Sequence, residues 1–187
     1  MTRRSSSDFG QAASNSVSLV AVLFAITLAD LTLHLGLVRF GIVPRTAPGL
    51  LGILWSPLIH AGLAHVAANG LPLFVLLTLL FTNPRYHPGR TLALIWFGSG
   101  LGTWMIGRPD SVHVGASSVI FGVAAFLIVA GVVLRSWRSL FVAVFVVVAF
   151  GGIFYGVLPQ AGPISWEGHL SGAVVGVWTA LRTLRSR

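Results

Sequence analysis

The chain has no cysteine and no lysine, and its acidic side chains are confined to Asp8, Asp30, Asp110 and Glu167. Without cysteine there is no disulfide, no thiolate nucleophile and no sulfur ligand for a metal, so chemistry is excluded without a redox compartment being fixed. Charged residues make up only 9% of the chain and hydrophobic ones 55%, whereas a soluble globule is about a quarter charged. There is too little polar surface to cover a water-soluble fold, and the chain reads as a membrane protein. All twelve basic residues are arginine, for a formal charge of +8. They stand singly or in pairs between apolar runs, without the aromatic platforms or basic helices of nucleic-acid binders. No nucleic-acid partner is expected, and the arginines read as topology signals.

A membrane span takes roughly twenty predominantly apolar residues. That measure predicts helices at about 17–38, 58–82, 90–107, 116–134, 138–158 and 168–184, an all-α, polytopic bundle of six transmembrane helices. The polar, Ser-rich residues 1–16 are expected to be a disordered cytoplasmic terminus, leaving 17–187 as one membrane domain. Met1-Thr2-Arg3-Arg4 before an apolar run could pass for a secretory signal, but no small-residue cleavage site closes the run before Arg39, so it is expected to stay as the first span. The 39–57 connection holds Pro44, Pro48, Gly49, Gly52 and Pro57, which argue against a regular helix throughout and suit a segment on the outer surface or in the interface. Arg3, Arg4, Arg85, Arg90, Arg135, Arg138, Arg182, Arg185 and Arg187 fall on one side of this topology, and Arg39, Arg45 and Arg108 on the other. The positive-inside rule then puts both termini in the cytoplasm. The second, fourth and sixth helices all start from the outer face.

Three stretches near those starts carry polar chemistry. Gly115-Ala116-Ser117-Ser118 opens the fourth helix, where backbone N–H groups lack intrahelical partners and can stabilise an oxyanion. Gly115 and Ala116 leave the approach to Ser117 open, and Ser118 with Gly122 forms a small-residue face for a neighbouring helix. In the last helix His169, Gly172 and Gly176 share one face, so the backbone can come close while an imidazole projects toward its neighbour as a general base. In the second helix His65 and Asn69 share a face and can donate to a developing oxyanion, with His60 at the helix entrance. No carboxylate is placed as a third member: Asp30 lies within the first span and Glu167 points to another side of the helix than His169. A Ser–His dyad is the economical reading. A metal site from His60, His65, His113 and His169 lacks a His-Glu-x-x-His motif and a nearby carboxylate, and no metal or cofactor is expected. Asp30 and His34 read as a structural i, i+4 pair within the first span.

Together these residues resemble the rhomboid family of intramembrane serine proteases, over the core from the first helix to the end of the chain. The family spacing of a His, four residues, a His, three residues and an Asn is met by His60, His65 and Asn69; its Gly-x-Ser motif by Gly115, Ala116 and Ser117; and its His-x-x-Gly-x-x-x-Gly helix by His169, Gly172 and Gly176. The resemblance implies Ser117 as nucleophile and His169 as base, with His65, Asn69 and the Ser117 amide around the oxyanion and Phe121 packed on the histidine. It further implies transmembrane proteins as substrates, residence in the plasma (inner) membrane and a site toward the outer face. The alternative is a catalytically silent family member that binds transmembrane clients. Two departures stand out. Ser118 occupies a position that is often Gly, and the short loop after the first helix has no clear Trp-Arg motif, although Trp55 precedes the second helix.

Overall fold

The computed structural model describes the backbone of residues 4–160, 162 and 164–184, with side chains from Phe9 onward. Arg3, Arg185 and Arg187, three of the topology arginines, lie outside the described residues. Seven α-helices are present among them: α1 (Arg4–Leu33), α2 (Ala47–Trp55), α3 (Leu63–Phe81), α4 (Pro88–Ile106), α5 (Ser117–Val133), α6 (Trp137–Phe150) and α7 (Trp166–Leu184). The only strand-like pairing among the described residues is an isolated antiparallel bridge between Ile42 and His113. Six of these helices overlap the expected spans, and α2 is additional. Phe9–Leu33, Leu63–Phe81 and Trp137–Val157 are each long and apolar enough to cross a membrane. Helices α4, α5 and α7 are shorter or more polar and pack within the bundle: α5 buries Val123, Phe126 and Leu127, while α4 and α7 turn Ser99, Thr103, Ser171 and Thr179 inward.

The boundaries differ from the sequence expectation in three places. Helix α1 begins at Arg4 rather than near residue 17, so most of the segment expected to be disordered is helical. Its polar side chains bond within the helix, Ser16 Oγ to the Ala12 carbonyl at 2.8 Å and Gln11 Nε2 to Asn15 Oδ1 at 2.9 Å, which removes their competition with the helical backbone. At its other end α1 stops at Leu33, because His34 and Gly36 adopt positive φ. Asp30 therefore lies in the last turn. Its Oδ1 accepts from the Leu37 N–H at 3.0 Å and caps the chain reversal, in place of the expected pairing with His34. Helix α6 ends at Phe150 and continues as a 3-10 helix over Gly151–Val157, since two adjacent glycines weaken the α-helix.

The connection after α1 folds into α2 and is braced against α4. Thr46 caps α2 by accepting from the Gly49 N–H at 3.1 Å, with Pro48 in the first turn where a missing N–H costs nothing. Arg45 donates to the carbonyls of Met105 and Gly107 at 3.0 and 2.8 Å. Trp104 Nε1 donates to the Thr46 carbonyl at 2.8 Å, and Trp96 Nε1 to that of Ile53 at 3.1 Å.

Helices α5 and α7 make the closest contact in the bundle. A Cβ on Gly172 would fall on the carbonyl oxygen of Ser118, and one on Gly176 on the carbonyl oxygen of Gly122. Only glycine permits that backbone approach. It fixes the start of α5, where Ser117 sits, against the first turns of α7, where His169 sits.

Candidate active site

The N-terminal ends of α3, α5 and α7 meet around a cavity of about 970 Å³ lined by His65, Asn69, Ser117, Phe121 and His169 among others. Three stretches separated by more than forty residues of chain thus share one space. Each helix start supplies its own element.

Ser117 is the first residue of α5, and the residue before it, Ala116, has no side chain able to cap the helix. The loop is held by other partners. The Gly115 N–H donates to the Ser56 carbonyl at 2.8 Å, and the Ala116 N–H to His60 Nε2 at 3.3 Å. This leaves the first-turn amides of α5, that of Ser117 among them, directed at the helix mouth without intrahelical partners. Gly115 has φ +110°, and a Cβ there would lie 2.7 Å from the ring of His65. Both backbone conformation and space require glycine. Gly115→Ala is expected to displace His65 or the serine loop and lower activity at least tenfold while the protein still folds, as measured by fluorophosphonate labelling alongside a thermal melt.

His65 Nδ1 accepts from the Ala61 N–H at 3.4 Å, so the proton of the neutral ring sits on Nε2, the edge that faces Gly115. Asn69 donates one of its two amide protons to the His65 carbonyl at 2.8 Å and keeps the second. Both are hydrogen-bond donors on the cavity wall. His60, expected at the helix entrance as a support of the site, precedes α3 and plays a different part from His65 and Asn69. It is buried, stands edge-on to His65 at 5.0 Å between ring centroids, and does not line the cavity. Its Nε2 accepts from the Ala116 amide, so it anchors the serine loop and does not donate into the site. Burial, with His65 beside it, pushes its pKa down to about 4 against the opposing effect of the Leu58 backbone. The neutral acceptor form that the loop needs is therefore favoured.

His169 stacks on Phe121 with centroids 4.1 Å apart and rings 8° from parallel. Its Nδ1 lies 3.0 Å from the carbonyl oxygen of Gly156. A carbonyl can only accept, so the ring proton is on Nδ1 and the Nε2 lone pair is free to take a proton. Gly156 belongs to the 3-10 extension of α6, and a Cβ there would lie 3.0 Å from His169 Nδ1. Sequence reasoning missed this orienting group. A backbone carbonyl leaves no residue-type signal, and the apolar run over 138–158 predicts continuous helix where α6 becomes irregular.

A second polar cluster, also missed, links the loop before α5 to the start of α7. Arg108 Nε pairs with Glu167 Oε1 at 2.8 Å, the carboxylate being fully buried. The Arg108 guanidinium also donates to the Gly162 and Ile164 carbonyls at 3.1 and 2.8 Å. His113 meets Ser111 Oγ through Nε2 at 2.8 Å and Ser165 Oγ through Nδ1 at 2.5 Å. Ser111 gives its own proton to the Arg108 carbonyl at 2.7 Å, so His113 Nε2–H donates to Ser111 and Nδ1 accepts from Ser165. Burial lowers the His113 pKa, as does Arg108, while Glu167 opposes them; the neutral ring fits this bonding.

A family model of the rhomboid domain matches residues 48–186. The chain is 40% identical over 172 residues to the uncharacterized protein Rv1337 of Mycobacterium tuberculosis, an alignment covering 88% of this chain and 72% of that protein. It is 35% identical over 173 residues to the uncharacterized protein ML1171 of Mycobacterium leprae, covering 88% and 68% respectively. With the rhomboid domain extending over most of its length, the chain belongs to the rhomboid family of integral membrane proteins, whose members are generally intramembrane serine proteases.

Proposed function

We propose that this protein is an intramembrane serine endopeptidase that cleaves transmembrane proteins with a Ser117–His169 dyad. The observation that carries this reading is the setting of His169. The Gly156 carbonyl holds the proton on Nδ1 and Phe121 fixes the ring plane, which leaves Nε2 as a base on the cavity that Ser117 also lines. In this role the Gly156 carbonyl takes the place of a triad's carboxylate in orienting the imidazole.

A substrate helix partly unwinds beside the bundle, because its helical carbonyls are bonded and sterically covered. Small or helix-breaking residues near the scissile bond lower the cost of unwinding. Ser117 Oγ attacks the carbonyl carbon as its proton passes to His169 Nε2. The oxyanion is met by the Ser117 amide, His65 Nε2–H and Asn69. His169 then protonates the leaving amine, and the acyl-enzyme is hydrolysed by water that gives its proton to the same nitrogen. Six helices, α1 and α3 to α7, span the plasma membrane with both termini cytoplasmic, following the arginine distribution. Water then reaches the site from the outer face.

The test is cleavage of a transmembrane-segment substrate in proteoliposomes. Product that forms with the parent protein and is absent with Ser117→Ala supports the reading. Equal product from both overturns it, and no product from folded parent protein favours a client-binding role. Phe121→Ala is expected to lower kcat about two- to tenfold, since a stacked ring contributes roughly 0.5–1.5 kcal/mol to orientation. Phe121→Tyr should retain most activity in the same assay.

A further inference from the structure

Glu167 is the buried charge that the proposed chemistry does not use. Its carboxylate has zero exposure, Arg108 neutralises one oxygen, and Oε2 has no hydrogen-bond partner among the described residues. A buried carboxylate is costly to maintain and is tolerated where its partner is fixed. Its location gives that cost a purpose. Glu167 lies two residues before His169 in the first turn of α7, and Arg108 lies in the loop that runs from α4 to Ser117.

One further bond connects the same segments, and a second carries it on to His169. Ser165, just before α7, is bound through its hydroxyl to His113, and its carbonyl accepts the His169 N–H at 3.1 Å. His113 is in turn tied to the connection after α1 by the paired backbone bonds it exchanges with Ile42, 2.9 and 3.0 Å long. The loop leading to the nucleophile therefore grips the helix of the base at two alternate residues, Ser165 and Glu167. We infer that Arg108, Glu167, His113 and Ser165 form a positioning bracket that sets His169 relative to Ser117. This inference rests on the dyad reading. The four act through His169 and the serine loop, as positioning residues, and touch no reacting atom in it. Gly172 and Gly176 fix how closely α5 and α7 pack, and the bracket fixes rotation and slide of the first turn of α7.

The test uses full-length protein in detergent and two readouts. Inactivation by a fluorophosphonate gives kinact and KI separately. Because the chain has no native cysteine, spin labels at Val112→Cys and Val174→Cys, exposed positions on the loop and on α7, report the distance across the bracket without chemistry. Arg108→Ala and Glu167→Gln are expected to lower kinact about tenfold or more with KI within about threefold, and to broaden the spin–spin distance distribution. The double variant should fall no further than the worse single one, because the two share one interaction. Ser165→Ala and Arg108→Lys, the mildest changes, should lose less and keep the parent melting temperature. Unchanged kinact in stably folded variants, a loss confined to KI, or an unchanged distance distribution overturns the bracket. If the parent protein does not label at all, the protease reading fails; the spin–spin distances still decide whether loop 108–113 positions α7.

Discussion

Replacing His169 by alanine is expected to lower peptide cleavage by about four orders of magnitude or more, and replacing it by glutamine to do no better. A serine alcohol is a weak nucleophile at neutral pH and depends on a base to take its proton as it attacks. Three polar groups near the dyad are each committed elsewhere. His65 presents a protonated Nε2 edge, His60 is buried with Nε2 turned to Ala116, and Glu167 is committed to Arg108. Loss of one dyad member thus removes nearly all the chemical acceleration, leaving what the oxyanion donors supply alone. Glutamine is the informative partner to alanine, since it restores hydrogen bonding and volume without basicity. The measurement is the initial rate on a transmembrane-segment substrate, with circular-dichroism melts to show that all proteins are folded. Activity of either variant within tenfold of the parent would remove His169 from the mechanism.

Gly172→Ala and Gly176→Ala are each expected to destabilise the bundle by roughly 1–3 kcal/mol, and together to prevent a stable α5–α7 contact. The added Cβ meets backbone atoms in both cases, the carbonyl of Ser118 and the carbonyl of Gly122, and backbone in a packed helix pair cannot move aside as a flexible side chain can. The two sites differ in what they disturb. Ser118 adjoins Ser117, so Gly172→Ala should also lower labelling of the serine in the protein that remains folded. Gly176 lies one turn deeper and should affect stability more than labelling. Gly89→Ala is the control, because a Cβ there meets no atom within 4 Å. Thermal melts in one detergent, with labelling at a temperature where every variant is folded, separate the effects. Unchanged melting temperatures for Gly172→Ala and Gly176→Ala would contradict the packing account.

What could be read in advance follows from the range of each interaction. The apolar runs indicated six long helices because burial in lipid or bundle is a property of whole segments. Their ends were less legible: left-handed residues at His34 and Gly36 stop α1 early, and Gly151 and Gly152 change the helix type after α6. The small motifs were visible because helical spacing alone puts His65 with Asn69, and His169 with Gly172 and Gly176, on common faces. Convergence of the three helix starts followed from topology. The partners of these residues were not legible. Gly156 acts through its carbonyl, and Arg108 looked like one of three outer-side topology arginines. Helical spacing puts Glu167 on another side of α7 from His169, and nothing in the sequence connects it to an arginine 59 positions earlier. His60 matched a motif by spacing but serves the serine loop, a distinction that depends on which ring nitrogen faces Ala116.

The most direct test of the account is the site of a fluorophosphonate adduct, located by peptide mass spectrometry on folded protein in detergent. The account predicts a single adduct on Ser117, absent from Ser117→Ala and from His169→Ala. An adduct on another serine, or equal modification of Ser117 when His169 is alanine, would contradict it.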